Sequence, residues 1–318
     1  MKKVVFLSVL FVVVFMFLLL FACGQFRQVP VNPTSIPDVN TDSSVISIVS
    51  QDLEEVTQDT VMDNTTNYPA HNPYSYYYST LSDSLLLHVG SGIPYDSDSS
   101  DDFLIFRSQY AISYNPRKGV PNWASWYLDS TWFGPVSRFK GNFLTDFSLP
   151  DSVYKVTHKY YTNTGFDRGH LVQSHQRTRN YEDNKSTFYM TNVFPQTPDL
   201  NRGVSLKFEN FCETLCKDSG YRLFIIAGGV YHQNLTLKDS GLVAIPDSCY
   251  KIVLVTSNVN KTIDSTAHVY AVMMPNIDGV RNDDWKQYQT TVKQIENSTG
   301  YNFFDRLSTE LQSFLEGE

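Results

Sequence analysis

The chain lacks the patterns by which several common functional classes are recognised. It has no internal repeat of the kind that builds solenoids and propellers. It has four cysteines and no Cys-x-x-Cys pair, so its cysteines have poor spacing for a zinc site. It also has no glycine-rich phosphate loop, because Gly228-Gly229 follows a predicted strand without the rest of such a motif. The function must therefore be sought in a local cluster of residues.

Positive charge is also scarce. The formal net charge is −8 at pH 7, whereas a protein that holds nucleic acid by electrostatics alone should be strongly basic. That class is excluded, although a local basic cleft is compatible with the composition. Seven cations are candidates for such a cleft: Arg138, Lys140, Arg168, Arg177, Arg179, Arg202 and Lys207. For Arg177, Arg179 and Lys207 we expect solvated surface charge instead.

The N-terminus has the pattern of an export signal. Lys2-Lys3 is basic, and residues 4–22 are apolar except for Ser8. The end of this run, Leu20-Phe21-Ala22-Cys23-Gly24, resembles a bacterial lipoprotein cleavage box in which Cys23 becomes lipidated. We predict a signal peptide at residues 1–22 and a lipid anchor on Cys23 that holds the protein on the cell envelope. The alternative is an ordinary signal anchor with Cys23 as a bystander, or a periplasmic or secreted protein.

Residues 23–82 are predicted to form a flexible acidic stalk. They are rich in Ser, Thr, Asn, Asp and Pro, and seven acidic residues stand against the single Arg27. Such a segment cannot bury enough apolar surface to offset the entropy of ordering it. We expect the aromatic residues 74–78 to be the end of the stalk, packed on the domain. The domain itself is predicted at residues 83–318.

The domain is predicted to be of the α/β (α+β) class. Apolar and β-branched runs predict strands at residues 103–114, 123–128, 221–231, 250–256 and 268–274, the last three in a sheet covered on both faces. A helix is expected to begin at Asp199 as N-cap, to bury Val204, Phe208, Phe211 and Leu215, and to end at Gly220. Further helices are expected from Asp283 or Asp284 to Gly300 and over residues 306–315.

The cysteines allow one disulfide in an oxidising compartment. Cys212 and Cys216 lie one helical turn apart, and Cys249 begins a later strand. A bridge from the helix to the strand is the expectation, with either helix cysteine as the partner.

Residues 167–209 hold the chemistry. The run Asp167-Arg168-Gly169-His170 contains a histidine that suits the role of general base at neutral pH, taking a proton from a water that attacks phosphorus. The alternative for a lone histidine is a structural bond to the backbone. Asn192 is expected to end a strand over residues 188–191, before a turn at Pro195-Gln196. From there its amide is expected to brace the loop that carries His170.

Asn201 and Glu209 lie in the helix predicted after Asp199. Eight helical residues advance by about 800° with a rise of about 12 Å, so both side chains can lean over one side. An amide oxygen suits Mg²⁺, which keeps most of its water shell. Asn201 is the predicted metal ligand, and Glu209 is predicted to hold a metal-bound water. The alternatives are a helix cap for Asn201 and a surface carboxylate for Glu209.

These residues resemble the DNA/RNA non-specific endonuclease family, whose members carry a DRGH box followed by N-x-x-P-Q, Asn and Glu. The resemblance covers about residues 85–315 and extends to Tyr114-Asn115-Pro116 and Thr299-Gly300-Tyr301. It implies a ββα-metal core, with a central mostly antiparallel sheet flanked by helices, a hairpin carrying His170 and a helix carrying Asn201. One departure is Ser205, which stands where family members often have tryptophan.

The resemblance also implies the activity and its cofactor. It implies an endonuclease that uses Mg²⁺, or Mn²⁺ in its place, to cut DNA and RNA to 5′-phosphate and 3′-hydroxyl ends. Arg138, in a setting like that of a family arginine, and Arg168 within the box are expected to stabilise charge in the transition state. One alternative is a catalytically silent surface lipoprotein that binds nucleic acid or a protein. Another is a phosphodiesterase for small nucleotides. The sequence identifies no inhibitor protein.

Overall fold

A computed structural model describes residues 45–49, 72–239, 241–257 and 261–317. The predicted signal peptide at residues 1–22 and the predicted lipid anchor at Cys23 lie outside the described residues. Among the described residues, no helix combines the length and the apolar character that crossing a bilayer requires.

One large antiparallel sheet forms the centre of the fold. Its eight strands follow the order β1-β2-β3-β4-β7-β8-β9-β10. Their bounds are β1 Val45–Val49, β2 Phe103–Arg107, β3 Tyr110–Asn115, β4 Val120–Leu128, β7 Arg222–Val230, β8 Ser248–Thr256, β9 His268–Pro275 and β10 Gln289–Thr290. Nearly every residue of β2, β3, β4, β7 and β8 is buried, as expected for a sheet covered on both faces. The predicted class, a mostly antiparallel sheet flanked by helices, is confirmed.

A second, two-stranded sheet lies beside it. Strand β5 (Asp167–His170) pairs antiparallel with β6 (Val193–Gln196), so that His170 lies opposite Val193. The α-helices of the described residues are α1 Tyr77–Thr80, α2 Asp83–Leu86, α3 Tyr181–Ser186, α4 Ser205–Lys217, α5 Val292–Thr299 and α6 Thr309–Glu316. Strands β5 and β6 with helix α4 form the implied ββα unit.

Two strand predictions need correction. The run 103–114 forms two strands, because the chain turns at Ser108-Gln109 and pairs Arg107 with Tyr110. No glycine or proline marks this turn, so the apolar pattern alone reads as one strand. Asn192 does not end a strand: it ends a short 3-10 helix, Met190–Asn192, and precedes β6. Pro195 and Gln196 lie within β6, where no turn occurs.

The helix predictions were right in position and partly wrong in detail. Asp199 does not cap α4, because its carboxylate accepts hydrogen bonds from the Gly279 amide (2.8 Å) and the Arg281 guanidinium (2.9 Å). A π-helical turn, Leu200–Val204, precedes α4 instead. The predicted helix from Asp283 or Asp284 to Gly300 is interrupted by β10, so only its second half, α5, is α-helical. It ends at Gly300 as predicted, with φ at 81°.

The domain begins earlier than residue 83. The described residues from Val45 onward belong to one compact unit, and β1, within the predicted stalk, pairs with β2. Tyr74 and Tyr77 are buried in the core, which confirms that the aromatic segment packs on the domain. The hydroxyl of Tyr74 donates to Asp102 at 2.5 Å. Both tyrosines therefore belong to the domain, and the predicted stalk is too long at its C-terminal end.

The predicted disulfide is wrong. Cys212, Cys216 and Cys249 are free and buried. The Cys216 thiol contacts the Leu128 carbonyl (3.6 Å), and burial raises the pKa of the Cys216 and Cys249 thiols to about 12. These cysteines act as small core residues.

Candidate active site

His170 occupies the end of β5 in an aromatic enclosure. Its ring lies 5.0 Å from the ring of Phe143 and 5.0 Å, edge to face, from that of Phe188. The residue is only 6% exposed, and its Nε2 is buried without a hydrogen-bond partner among the described residues. A buried, unpaired ring nitrogen is typical of a group whose partner is the substrate.

Burial controls the charge of this ring. Burial is the largest cause that lowers the pKa of His170 to about 3, and the nearby Arg138, His175 and Lys251 contribute to the same shift. The imidazole is therefore neutral at pH 7, with a free lone pair on one nitrogen.

Gly169 leaves room for the buried side chain of Gln196 from the opposing strand. A Cβ at this position would overlap that side chain. Any larger residue would therefore force Gln196 to move beside the strand that carries His170.

Asn192 braces the turn that follows His170. Its Oδ1 accepts from the Val172 amide (3.0 Å), and its Nδ2 donates to the carbonyls of Val172 (3.0 Å) and Thr187 (2.9 Å). The side chain is fully buried. The expected brace is present, and Asn192 is directed at the backbone.

Asn201 is held by the other end of β5. Its Nδ2 donates to Asp167 Oδ2 (2.9 Å), and the same carboxylate forms an ion pair with Arg202. Its Oδ1 accepts no hydrogen bond from the described residues. The capping alternative for Asn201 is wrong, because a cap accepts a backbone N–H through its side-chain oxygen and Oδ1 of Asn201 receives no such bond from the described residues. Asn201 lies in the π-helical turn, so the regular helical spacing assumed for Asn201 and Glu209 does not apply.

Glu209 is buried in the first turns of α4, so the surface alternative is wrong. Its Oε1 accepts from the Ser205 hydroxyl (3.0 Å), from Gln173 Nε2 (2.8 Å) and from the Lys251 ammonium. Gln173 Nε2 also donates to the His170 carbonyl (2.9 Å), which connects Glu209 to the base. The other carboxylate oxygen, Oε2, has no partner among the described residues.

Arg138 and Arg168 differ in how many of their N–H donors are already used within the protein. The Arg138 guanidinium lies 4.7 Å from the centre of the Phe188 ring, against which His170 also packs, and it donates to the Ser174 hydroxyl. Arg168 directs two N–H groups to the His158 carbonyl (3.2 and 2.7 Å). Arg138 is therefore the better placed to meet a phosphate beside His170, and Arg168 has fewer donors left.

Of the other predicted cations, Arg177 was expected to be a solvated surface charge, and this prediction is wrong. It is fully buried, and its guanidinium donates to the carbonyls of Gln109, Gln176 and Tyr127 at 2.8–3.1 Å. Arg179 pairs with Asp183 (2.8 Å) at the surface, and Lys207 is exposed, as expected. Arg202 is committed to Asp167.

Sequence reasoning missed Gln173, Lys251 and the two phenylalanines that enclose His170. Lys251 had a usable signal, because it is the only charged residue in the apolar run 250–256. A charge in such a strand must find a partner when it is buried. Gln173 lies three residues after His170 and carries no comparable signal.

The donor set fits a hydrated magnesium ion. Among the described residues no group of three His, Cys, Asp or Glu side chains is arranged to hold a metal, which argues against a zinc cage. The free Asn201 Oδ1 and the free Glu209 Oε2 are hard oxygen donors. One direct ligand and one acceptor for water suit an ion that keeps most of its hydration shell.

Comparison with known proteins agrees with this geometry. The sequence profile of the DNA/RNA non-specific endonuclease family matches residues 92–310. A nuclease from Nostoc sp. is 38% identical over 75% of this chain and 86% of its own length. Nuclease C1 from Cunninghamella echinulata is 30% identical over 67% of this chain and 86% of its own length.

A solved structure shares the fold. In the complex of EndoG with EndoGI, the matching chain superimposes with a TM-score of 0.61 at 22% identity, covering 72% of this chain and 95% of that chain. The chain described here belongs to the DNA/RNA non-specific endonuclease family, a family of metal-dependent nucleases that act on nucleic acids.

Proposed function

We propose that this protein is an exported, Mg²⁺-dependent endonuclease that hydrolyses phosphodiester bonds of both DNA and RNA. Family membership supports the nuclease activity. One observation carries the mechanism: the buried Nε2 of His170 has no hydrogen-bond partner in the described part of the chain, and His170 lies on the same four-residue strand as Asp167, which holds Asn201.

His170 is the general base. Its lowered pKa keeps the ring neutral at pH 7, so Nε2 is ready to accept a proton from water as that water attacks phosphorus. A low pKa alone would make a weak base. The negative phosphodiester offsets the neighbouring cations on binding, and this raises the basicity of the ring when substrate is present.

Arg138 meets the charge that develops on the phosphate oxygens. Its position against Phe188, beside His170, places a fixed cation next to the attacked phosphorus. A hydrated Mg²⁺, with Mn²⁺ as a substitute, supplies charge neutralisation and assistance to the leaving oxygen. Asn201 would hold it through Oδ1, and Glu209 would order its water shell through Oε2. Because these groups act on the phosphate, the attacking water and the metal ion, and none contacts a base, base identity should matter little.

Incubation of the purified full-length protein with circular plasmid and with RNA, in Mg²⁺ or in EDTA, tests the proposal. We expect internal cleavage of both substrates in Mg²⁺ and none in EDTA, with ends that carry 5′-phosphate and 3′-hydroxyl. His170→Ala should lower kcat by about 10²–10⁴, the usual contribution of a general base. His232→Ala is the matched control, because His232 is exposed and lies outside the site.

Three outcomes would contradict the proposal. No cleavage in Mg²⁺, together with nucleic-acid binding, would identify a silent binding protein. Hydrolysis of dinucleotides with intact plasmid would identify a small-nucleotide phosphodiesterase. Full activity in His170→Ala would show that another group is the base.

Export and lipid attachment are proposed from residues 1–24 alone. In a bacterial host, the chain should incorporate labelled palmitate and fractionate with the envelope, and Cys23→Ser should abolish the label. An exported wild-type chain without label would favour the signal-anchor or secreted alternative.

A further inference from the structure

Lys251 is a cation placed inside the large sheet. It lies in β8, opposite Ala227 of β7 on one side and Val272 of β9 on the other. Its side chain is only 12% exposed, and its ammonium forms an ion pair with Glu209, which is 5% exposed. The cost of taking two charges out of water must be offset by their attraction and by further hydrogen bonds. The hydrogen bonds to Glu209 from Ser205 and Gln173 contribute to this offset.

The donors around Glu209 are divided unequally. Ser205, Gln173 and Lys251 all contact Oε1, whereas Oε2 has no hydrogen-bond partner among the described residues. The carboxylate is thus fixed in one rotation by three contacts on the same oxygen.

The same ion pair controls the charge of the site. Two carboxylates belong to the candidate site. Asp167 accepts from Asn201 and is paired with Arg202, and Glu209 is paired with Lys251. A divalent ion held by Asn201 therefore finds both of these carboxylates already neutralised. Such a site holds the ion weakly and leaves its water shell intact.

We propose that Lys251 is a positioning residue for the nuclease reaction: it fixes Glu209 by one oxygen and prevents that carboxylate from becoming a direct metal ligand. The proposal rests on the proposed function above. It differs from a purely structural role for the ion pair, which predicts only a change in stability.

Lys251→Met separates the two roles, because methionine fills similar space without the charge. Loss of the Lys251 charge frees Glu209 to rotate and leaves the negative charge of Glu209 unneutralised beside the metal ion. Titration of the full-length protein with Mn²⁺ alone, by calorimetry, should show binding about tenfold tighter than in the wild type. The kcat for plasmid cleavage should fall by about tenfold to a hundredfold, with KM changed less than about threefold. Tighter metal binding with slower turnover is the signature of the positioning role.

Two further variants complete the experiment. Lys118 lies in the turn between β3 and β4 and pairs with Asp101, which precedes β2. Lys118→Met removes the same charge from this other lysine–carboxylate pair and should leave Mn²⁺ affinity unchanged. Lys251→Arg keeps the charge but changes its geometry, so Mn²⁺ affinity should stay within about twofold of the wild type while kcat falls. This variant also serves if Lys251→Met does not fold, as judged by circular dichroism.

The proposal is overturned if Lys251→Met binds Mn²⁺ no more tightly than the wild type, or if Lys118→Met tightens binding equally. Unchanged kcat in Lys251→Arg overturns it too. If the wild type cuts plasmid in Mg²⁺ but one of these overturning results is obtained, the role of Lys251 is refuted and the proposed function stands. If the wild type neither cuts nor binds Mn²⁺, the proposed function fails, and this inference fails with it.

Discussion

Asp167→Ala should weaken the hold of the protein on its metal. The Asp167 carboxylate accepts from Asn201 Nδ2 at 2.9 Å and thereby directs Oδ1 of the same amide outward. A hydrogen bond to a charged group contributes about 1.5–3 kcal/mol, and 1.4 kcal/mol corresponds to about a factor of ten in an equilibrium. Without it, the amide is free to turn its nitrogen toward the ion.

The expected magnitude follows from this bond and from charge. Loss of the orientation alone should raise the Mg²⁺ concentration for half-maximal cleavage by about tenfold. Arg202 then lies unpaired beside the site and repels the ion, which extends the effect to about thirtyfold. A Mg²⁺ titration of plasmid relaxation measures it, and calorimetry with Mn²⁺ gives the same comparison without catalysis.

Arg202→Gln is the matched control for this prediction. It breaks the same ion pair but leaves the contact between Asp167 and Asn201 in place. Because Arg202 is 61% exposed, the change should alter the Mg²⁺ requirement by less than about threefold. An unchanged requirement in Asp167→Ala, or an equal loss in Arg202→Gln, would refute the reasoning.

Three other predictions concern pH and stability. The pKa of His170 is lowered to about 3, so the base becomes protonated only as the pH falls through that value. In a pH profile of kcat/KM, the decrease on the acid side should therefore lie below about pH 5. A decrease centred near pH 6.5 would contradict this prediction. Asn192→Ala should lower the free energy of unfolding, measured in urea, by about 3–6 kcal/mol. The reason is that three buried backbone groups, two of them on Val172, lose their hydrogen-bond partner. A loss below about 1 kcal/mol would show that Asn192 does not brace this turn. Arg177→Met should lower the free energy of unfolding in the same assay by at least about 3 kcal/mol. The carbonyls that accept hydrogen bonds from its guanidinium, including that of Gln109, would become unpaired. A change near zero would show that water replaces the guanidinium.

The regular parts of the fold were readable from the sequence. Strands β7, β8 and β9 were predicted within two residues at each end, because buried strands of an antiparallel sheet appear as apolar runs. The candidate site was predicted from the DRGH box, which is specific, and from Asn201 and Glu209, which follow at the family's spacing.

The errors arose where long-range contacts override local pattern. Asp199 has the chemistry of an N-cap, yet Gly279 and Arg281, some 80 residues away, take its carboxylate. Arg177 resembled a surface cation because its acceptors are backbone carbonyls, which no sequence pattern reveals. Cys249 began a strand as predicted, but its distance from Cys212 depends on packing that sequence spacing does not determine.

The candidate site shows the same difference between what local sequence pattern reveals and what long-range contacts determine. The sequence identified Glu209 but not the three donors that hold its Oε1, since these come from α4, β8 and the turn after β5. Ser205 looked like a departure from the family, and in the structure it is one of those donors.

Strand β1 has a practical consequence for anyone who shortens this protein. It covers the outer edge of β2, so a chain that starts at residue 83 would present the free N–H and C=O groups of Phe103–Arg107 to solvent. Open strand edges invite pairing with other molecules, and removal of Tyr74 and Tyr77 would leave gaps in the core beneath. Precipitation of such a fragment would reflect the truncation rather than a defect of the enzyme, and trimming should stop before Ser43.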